Sequence, residues 1–73
     1  MSPSEFFEKA TAGSLVRYDK DNCMSVRITT ISKVERCATG RDTKTHRRIF
    51  LFLNNGMLKE GISGSFDSVE LSA

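Results

Sequence analysis

Apolar side chains follow two different periods along this chain, and the change falls at Gly13. Before it, Phe6, Phe7 and Ala10 lie three and four residues apart, the spacing that gathers side chains on one face of a helix. Ser2-Pro3-Ser4-Glu5 is a helix start. Ser2 caps, Pro3 suits the first helical position, and Glu5 closes a capping box. Gly13 supplies a stop. The helix predicted over residues 2–12 has too few turns to stand alone. Its phenylalanines must pack on a sheet.

After Gly13 the period becomes two. Leu15-Val16-Arg17-Tyr18 reads as a first strand, and Asp19-Lys20-Asp21-Asn22 as a turn. From Met24 to Glu35 the chain is β-branched and alternating. Met24, Val26 and Ile28 face one way, with Ser25, Arg27 and Thr29 opposite. The apolar phase then slips to Ile31 and back to Val34, which predicts a bulge or bend. Arg48-Ile-Phe-Leu-Phe-Leu53 is apolar on both faces and reads as a central strand, covered on one side by the N-terminal helix. There Phe50 and Phe52 are expected to pack with Phe6 and Phe7. Asn54-Asn55-Gly56 is a hairpin signal, because Asn-Gly tolerates positive φ. Met57 to Ile62 should return antiparallel. Gly61 and Gly64 bracket a turn, and Ser65 to Leu71 makes a last strand with Val69 and Leu71 facing inward. The expectation is one domain over residues 1–73. It is mostly β, an SH3-like five-stranded antiparallel barrel over 13–73 behind one helix.

Charge sharpens this picture. The stretch from Arg36 to Arg48 reads as a polar connector between two apolar strands. It carries a net +4, whereas the whole chain of 73 residues carries only +2. A concentrated positive loop is a candidate contact surface for an anion. Arg36, Arg41, Lys44, His46, Arg47 and Arg48 are its candidate binding residues. Arg17, Tyr18 and Arg27 are possible accessory contacts from a strand face. Four phosphate contacts would give a log–log salt slope of roughly −3 on single strands.

The rest of the composition excludes more than it adds. No apolar run approaches the roughly 20 residues that span a bilayer. The first ten residues lack the basic and apolar regions of a secretion signal, so a cytoplasmic location is expected. Cys23 and Cys37 then read as free thiols. Two lone cysteines and a single histidine are too few for a zinc site within one chain, and no cofactor is expected. His46 has no acid nearby to orient it for acid–base work. Cys37 is the one candidate nucleophile, and it reads as an ordinary strand-end thiol. No catalytic grouping emerges.

Gly13-Ser-Leu-Val-Arg-Tyr18, Val26-Arg-Ile-Thr-Thr-Ile31, Ile49-Phe-Leu-Phe-Leu53 with Asn55-Gly56, and Val69-Glu-Leu71 follow one another along the chain. In this order they resemble the strands of Tudor and other SH3-like barrels, from roughly Gly13 to Leu71. The layout of one helix before five strands is also similar to the Sm-like one, though the Sm motifs are missing. The Tudor resemblance implies a binding module rather than an enzyme. Tudor-type recognition of a methylated cation needs an aromatic cage, for which Tyr18, Phe50, Phe52 and Phe66 are the candidates.

Two kinds of partner fit the basic stretch. One is nucleic acid, RNA or DNA, in a regulatory role. The alternative is an acidic face of a larger protein, on which this chain would act as a small inhibitor or adaptor of phage or mobile-element type. A membrane partner is not expected. An exposed sheet edge would also allow pairing with a second copy.

Overall fold

Ser2 caps the single helix, α1 (Pro3–Lys9), as its sequence predicts. Its hydroxyl accepts from the Glu5 N–H at 3.3 Å and lies 3.4 Å from the Glu5 carboxylate, completing the capping box. The helix closes at Ala10, three residues before Gly13. Gly13, at φ 96°, serves the sheet instead, donating its N–H to the Ile28 carbonyl at 2.8 Å. The structure is a computed structural model and describes residues 1–19, 24–61 and 63–72. Cys23 and most of the turn expected at 19–22 lie outside the described residues.

Seven strands follow, where five were expected: β1 (Leu15–Arg17), β2 (Ser25–Ser32), β3 (Cys37–Asp42), β4 (Arg48–Asn54), β5 (Met57–Glu60), β6 (Ser63–Phe66) and β7 (Glu70–Ser72). They form one antiparallel sheet in the order β6-β5-β4-β3-β2-β1-β7. The sheet curls into a half-barrel. Its curl brings Phe66 of β6 against Tyr18, just past β1, with ring centroids 4.9 Å apart.

The extra strands come from two places. Cys37–Asp42, expected inside a connector, is a strand paired on both sides. Its composition, with Gly, Thr and charged residues, hides it, because its buried residues are Ala38 and Gly40 and both are small. The last expected strand is two, broken at Asp67-Ser68-Val69. Val69 is buried there, and its backbone exchanges hydrogen bonds of 2.8 and 3.0 Å with Met1.

Two devices bend the sheet. The register shifts between Ile28 and Thr30, so Thr29 is an extra residue in β2, where the apolar phase slips. Opposite it, Gly40 lets β3 approach β2 closely. A Cβ at this position would lie 2.5 Å from the Arg27 carbonyl oxygen and 2.7 Å from a Val26 methyl. The second expected slip does not occur. β2 ends at Ser32, and Val34 lies in the turn that follows, 94% exposed. At the far end, Asn55 and Gly56 hold φ of 53° and 78°, as a tight two-residue hairpin requires.

The concave side is the core. Val16, Val26, Ile28, Ala38, Ile49, Leu51 and Leu58 line it, and α1 inserts Phe6 and Phe7, stacked edge to face at 4.8 Å. Phe50 and Phe52 do not join them. They alternate with Ile49 and Leu51 along β4, so they point to the opposite, convex side. Phe50 is 47% exposed. The helix was expected to cover the side of β4 that holds Phe50 and Phe52; it lies instead on the side of Ile49 and Leu51.

Candidate functional site

The convex face is built by alternation, interrupted in β2 by the bulge at Thr29. Wherever β2, β3 and β4 turn one residue into the core, the next points outward. On this outer side Arg27 pairs with Arg41, and Arg41 pairs with Arg48. All three are exposed. Adjacent strands lie about 4.8 Å apart, so the three side chains stand in a line roughly 10 Å long.

Like charges directly opposite one another destabilise a sheet. Here hydrogen bonds to main-chain carbonyls soften the cost. Arg27 donates to the Gly13 carbonyl at 2.8 Å, and Arg41 to the His46 carbonyl at 2.9 Å. These fix the two side chains without cancelling their charge. Arg48 has no such partner, and no carboxylate pairs with any of the three among the described residues.

The hairpin between β3 and β4 extends the row. Asp42 shapes it, its carboxylate accepting the Lys44 N–H at 2.8 Å and the Thr45 N–H at 3.3 Å. The Lys44 N–H, and behind it that of Thr45, hold the Asp42 carboxyl below its ordinary range. The acid in this segment is thus committed to the turn's own backbone. The turn closes through the Asp42 N–H to Arg47 carbonyl bond at 2.9 Å, with His46 at φ 63°. Lys44, His46 and Arg47 are exposed at its tip, next to the Arg41–Arg48 pair.

Six candidate residues were expected on one loop. Arg41, Lys44, His46, Arg47 and Arg48 do come together, on a strand pair and its hairpin. Arg36 does not. It lies in the turn before β3, at φ 55°, five residues along the strand from Arg41 and so about 17 Å away. Among the accessory candidates, Arg27 joins the row. Arg17 shares the convex face but stands opposite Glu70 of β7. Tyr18 is a correction: it is 5% exposed, packed on Phe66 and donating toward the Met24 sulfur at 3.8 Å. Burial and then the neighbouring Glu60 carboxylate push its phenol well above the usual tyrosine range.

The four aromatics considered for a cage separate into two pairs. Tyr18 and Phe66 lie on the core side, and Phe50 and Phe52 on the convex side, their centroids 5.7 Å apart. No common cage forms. Cys37, a free and half-buried thiol, lies beside Phe52 with the Glu35 carboxylate 3.8 Å from its sulfur. No group of three or more His, Cys, Asp or Glu among the described residues is placed to hold a metal ion. No helix among them is long and apolar enough to cross a membrane.

What sequence reasoning missed is the register. The pairing of Arg27 with Arg41 follows from β3 being a strand, and the signal for that was weak. It consisted of Ala38, Gly40 and Asp42 alternating with Thr39 and Arg41.

No protein-family model matches this chain, and neither the curated proteins nor the solved structures provide a match. The functional reading therefore rests on the site itself.

Proposed function

We propose that this protein is a non-enzymatic binding module whose convex sheet face takes the backbone of a nucleic acid, in a regulatory role. The observation that carries this is the in-register row Arg27–Arg41–Arg48, exposed and without a carboxylate partner among the described residues. Three exposed guanidinium groups in a row, two of them fixed by main-chain carbonyls and the row continued by Lys44 and Arg47, suit an anion that repeats its charge along its length. A phosphodiester backbone is such an anion. An acidic protein face would also attract the row, but it has no reason to present carboxylates at this regular spacing. The modest overall charge of +2 fits a local contact better than a protein that coats nucleic acid.

The kinship to Tudor and SH3-like barrels belongs to the same proposal. It draws support from the exit strand carrying Leu71, which returns to pair with β1. The hairpin of β5 and β6 has no counterpart in the five strands that the resemblance implies.

Fluorescence anisotropy of labelled oligonucleotides at low salt tests the function. Arg41→Glu together with Arg48→Glu should abolish binding while leaving the circular dichroism spectrum unchanged. Binding of equal strength by the folded double variant would refute the proposal. Retention of one stoichiometric protein from nuclease-treated lysate, with no oligonucleotide binding, would instead favour the acidic-protein partner.

A further inference from the structure

From the same face we infer that the nucleic acid is single-stranded, and that Phe50 and Phe52 stack on its unpaired bases. This rests on the function proposed above and names its substrate class.

Phe50 and Phe52 continue the convex face directly from Arg48, at successive two-residue steps of about 6.8 Å. Phe50 is the one large aromatic that is exposed among the described residues. In its own row Thr39 is its partner on β3. Thr39 is held by Thr29 and Thr30, whose hydroxyls lie 3.2 and 2.5 Å from its own. In the next row Phe52 stands between Cys37 and Lys59. The two rings are tilted by 31° at 5.7 Å. Both grow from β4, which is paired on each side, so the platform is rigid before any ligand arrives.

Phe50 leaves about half of its surface in water, at 47% exposure, with Phe52 as its aromatic neighbour. Beside a line of arginines it has a use. Aromatic rings that accept successive bases, next to cations that accept the backbone, make up the general chemistry of single-strand binding. Duplex nucleic acid does not fit these rings. Its bases hide their faces in a stack with about 3.4 Å per step along each strand, and offer only their edges in the grooves. Rings 5.7 Å apart match a chain drawn out of that stack. Arg27, Arg41 and Arg48 then take phosphates at one end of the platform, and Lys59 flanks the other.

The test compares oligo(dT), oligo(U) and a duplex of equal length against the full chain, with Phe50→Ala, Phe52→Ala and Phe50→Tyr. Single strands should bind more tightly than duplex. Each Ala variant should weaken single-strand binding by at least about fivefold, leave duplex binding unchanged, and keep the fold. Phe50→Tyr should restore it. The Phe50 ring protons should shift upfield when oligo(dT) or oligo(U) binds, and preference between these two separates DNA from RNA. Unchanged affinity in the Ala variants, or duplex bound as tightly as single strands, would overturn the inference. If Arg41→Glu with Arg48→Glu still abolished binding in that case, the backbone-binding role would stand without it. If the wild-type chain bound no oligonucleotide, both would fall.

Discussion

Arg41 and Arg48 are direct cross-strand partners on the convex face, and neither has a carboxylate partner among the described residues. A folded sheet gains nothing from this arrangement. Opposed like charges cost a few tenths of a kcal/mol to about 1 kcal/mol. That cost is the physical ground for the proposed contact with an anion.

Arg48→Thr separates binding from stability. It removes one charge from the row and puts a strand-favouring side chain in its place. Urea denaturation should show a gain of about 0.5 kcal/mol, while affinity for oligonucleotides falls. A loss of stability would mean that Arg48 holds the sheet together rather than a ligand.

Gly40→Ala tests the bend. The added methyl would meet the Arg27 carbonyl and a Val26 methyl inside normal contact distance. Overpacking of this kind costs about 1–3 kcal/mol, and the upper end is expected because one obstacle is backbone. Since Arg27 and Arg41 flank this contact, binding should weaken as well. Denaturant midpoints of the variant and the parent check the first effect, and anisotropy checks the second.

Tyr18 gives an optical probe, because the chain has one Tyr and no Trp. Burial and the Glu60 carboxylate raise its phenol above the ordinary value of 10.0. A raised value in the folded state means that folding is favoured below pH 10 and loses that support as pH rises beyond it. Phenolate absorbance should therefore appear together with loss of the β-sheet signal, in one cooperative step above pH 10. A smooth titration near 10 in a folded chain would contradict the burial of this ring.

Asp42 makes the hairpin sensitive to acid. Its carboxyl is held below the ordinary value of 3.8, first by the Lys44 N–H and then by that of Thr45. The depressed value means that the carboxylate supports the turn above pH 3.8, and that this support is lost as pH falls through the lower folded value. Amide exchange at Lys44 and Thr45 should speed up in that window, ahead of the core strands. In Asp42→Ala the same amides should exchange fast at every pH.

Much of the fold was legible in the residues. Ser2, Pro3 and Glu5 specify the helix start through chemistry confined to four positions. Asn55-Gly56 specifies a turn by the same local logic. The bulge at Thr29 could be read from the change of phase between Ile28 and Ile31. The third strand could not. Its buried residues are Ala38 and Gly40, which carry almost no apolar signal, and the space they leave is filled by neighbours distant in sequence. The direction of Phe50 and Phe52 was equally hidden. The strand is apolar on both faces, so only tertiary packing decides which of the two α1 covers. The candidate site followed the same division. Its charges were visible, but their alignment depends on a register set between strands.

The most direct test of the account is the salt dependence of single-strand binding by the wild-type chain and by Arg41→Gln with Arg48→Gln. Three phosphate contacts give a log–log slope of roughly −2, and each lost arginine should remove about 0.7 of it. The expected result is a wild-type slope near that value, flattened by about 1.4 in the variant. Binding weaker than about 100 μM at low salt, or an identical slope in both proteins, would contradict a phosphate-binding row on the convex face.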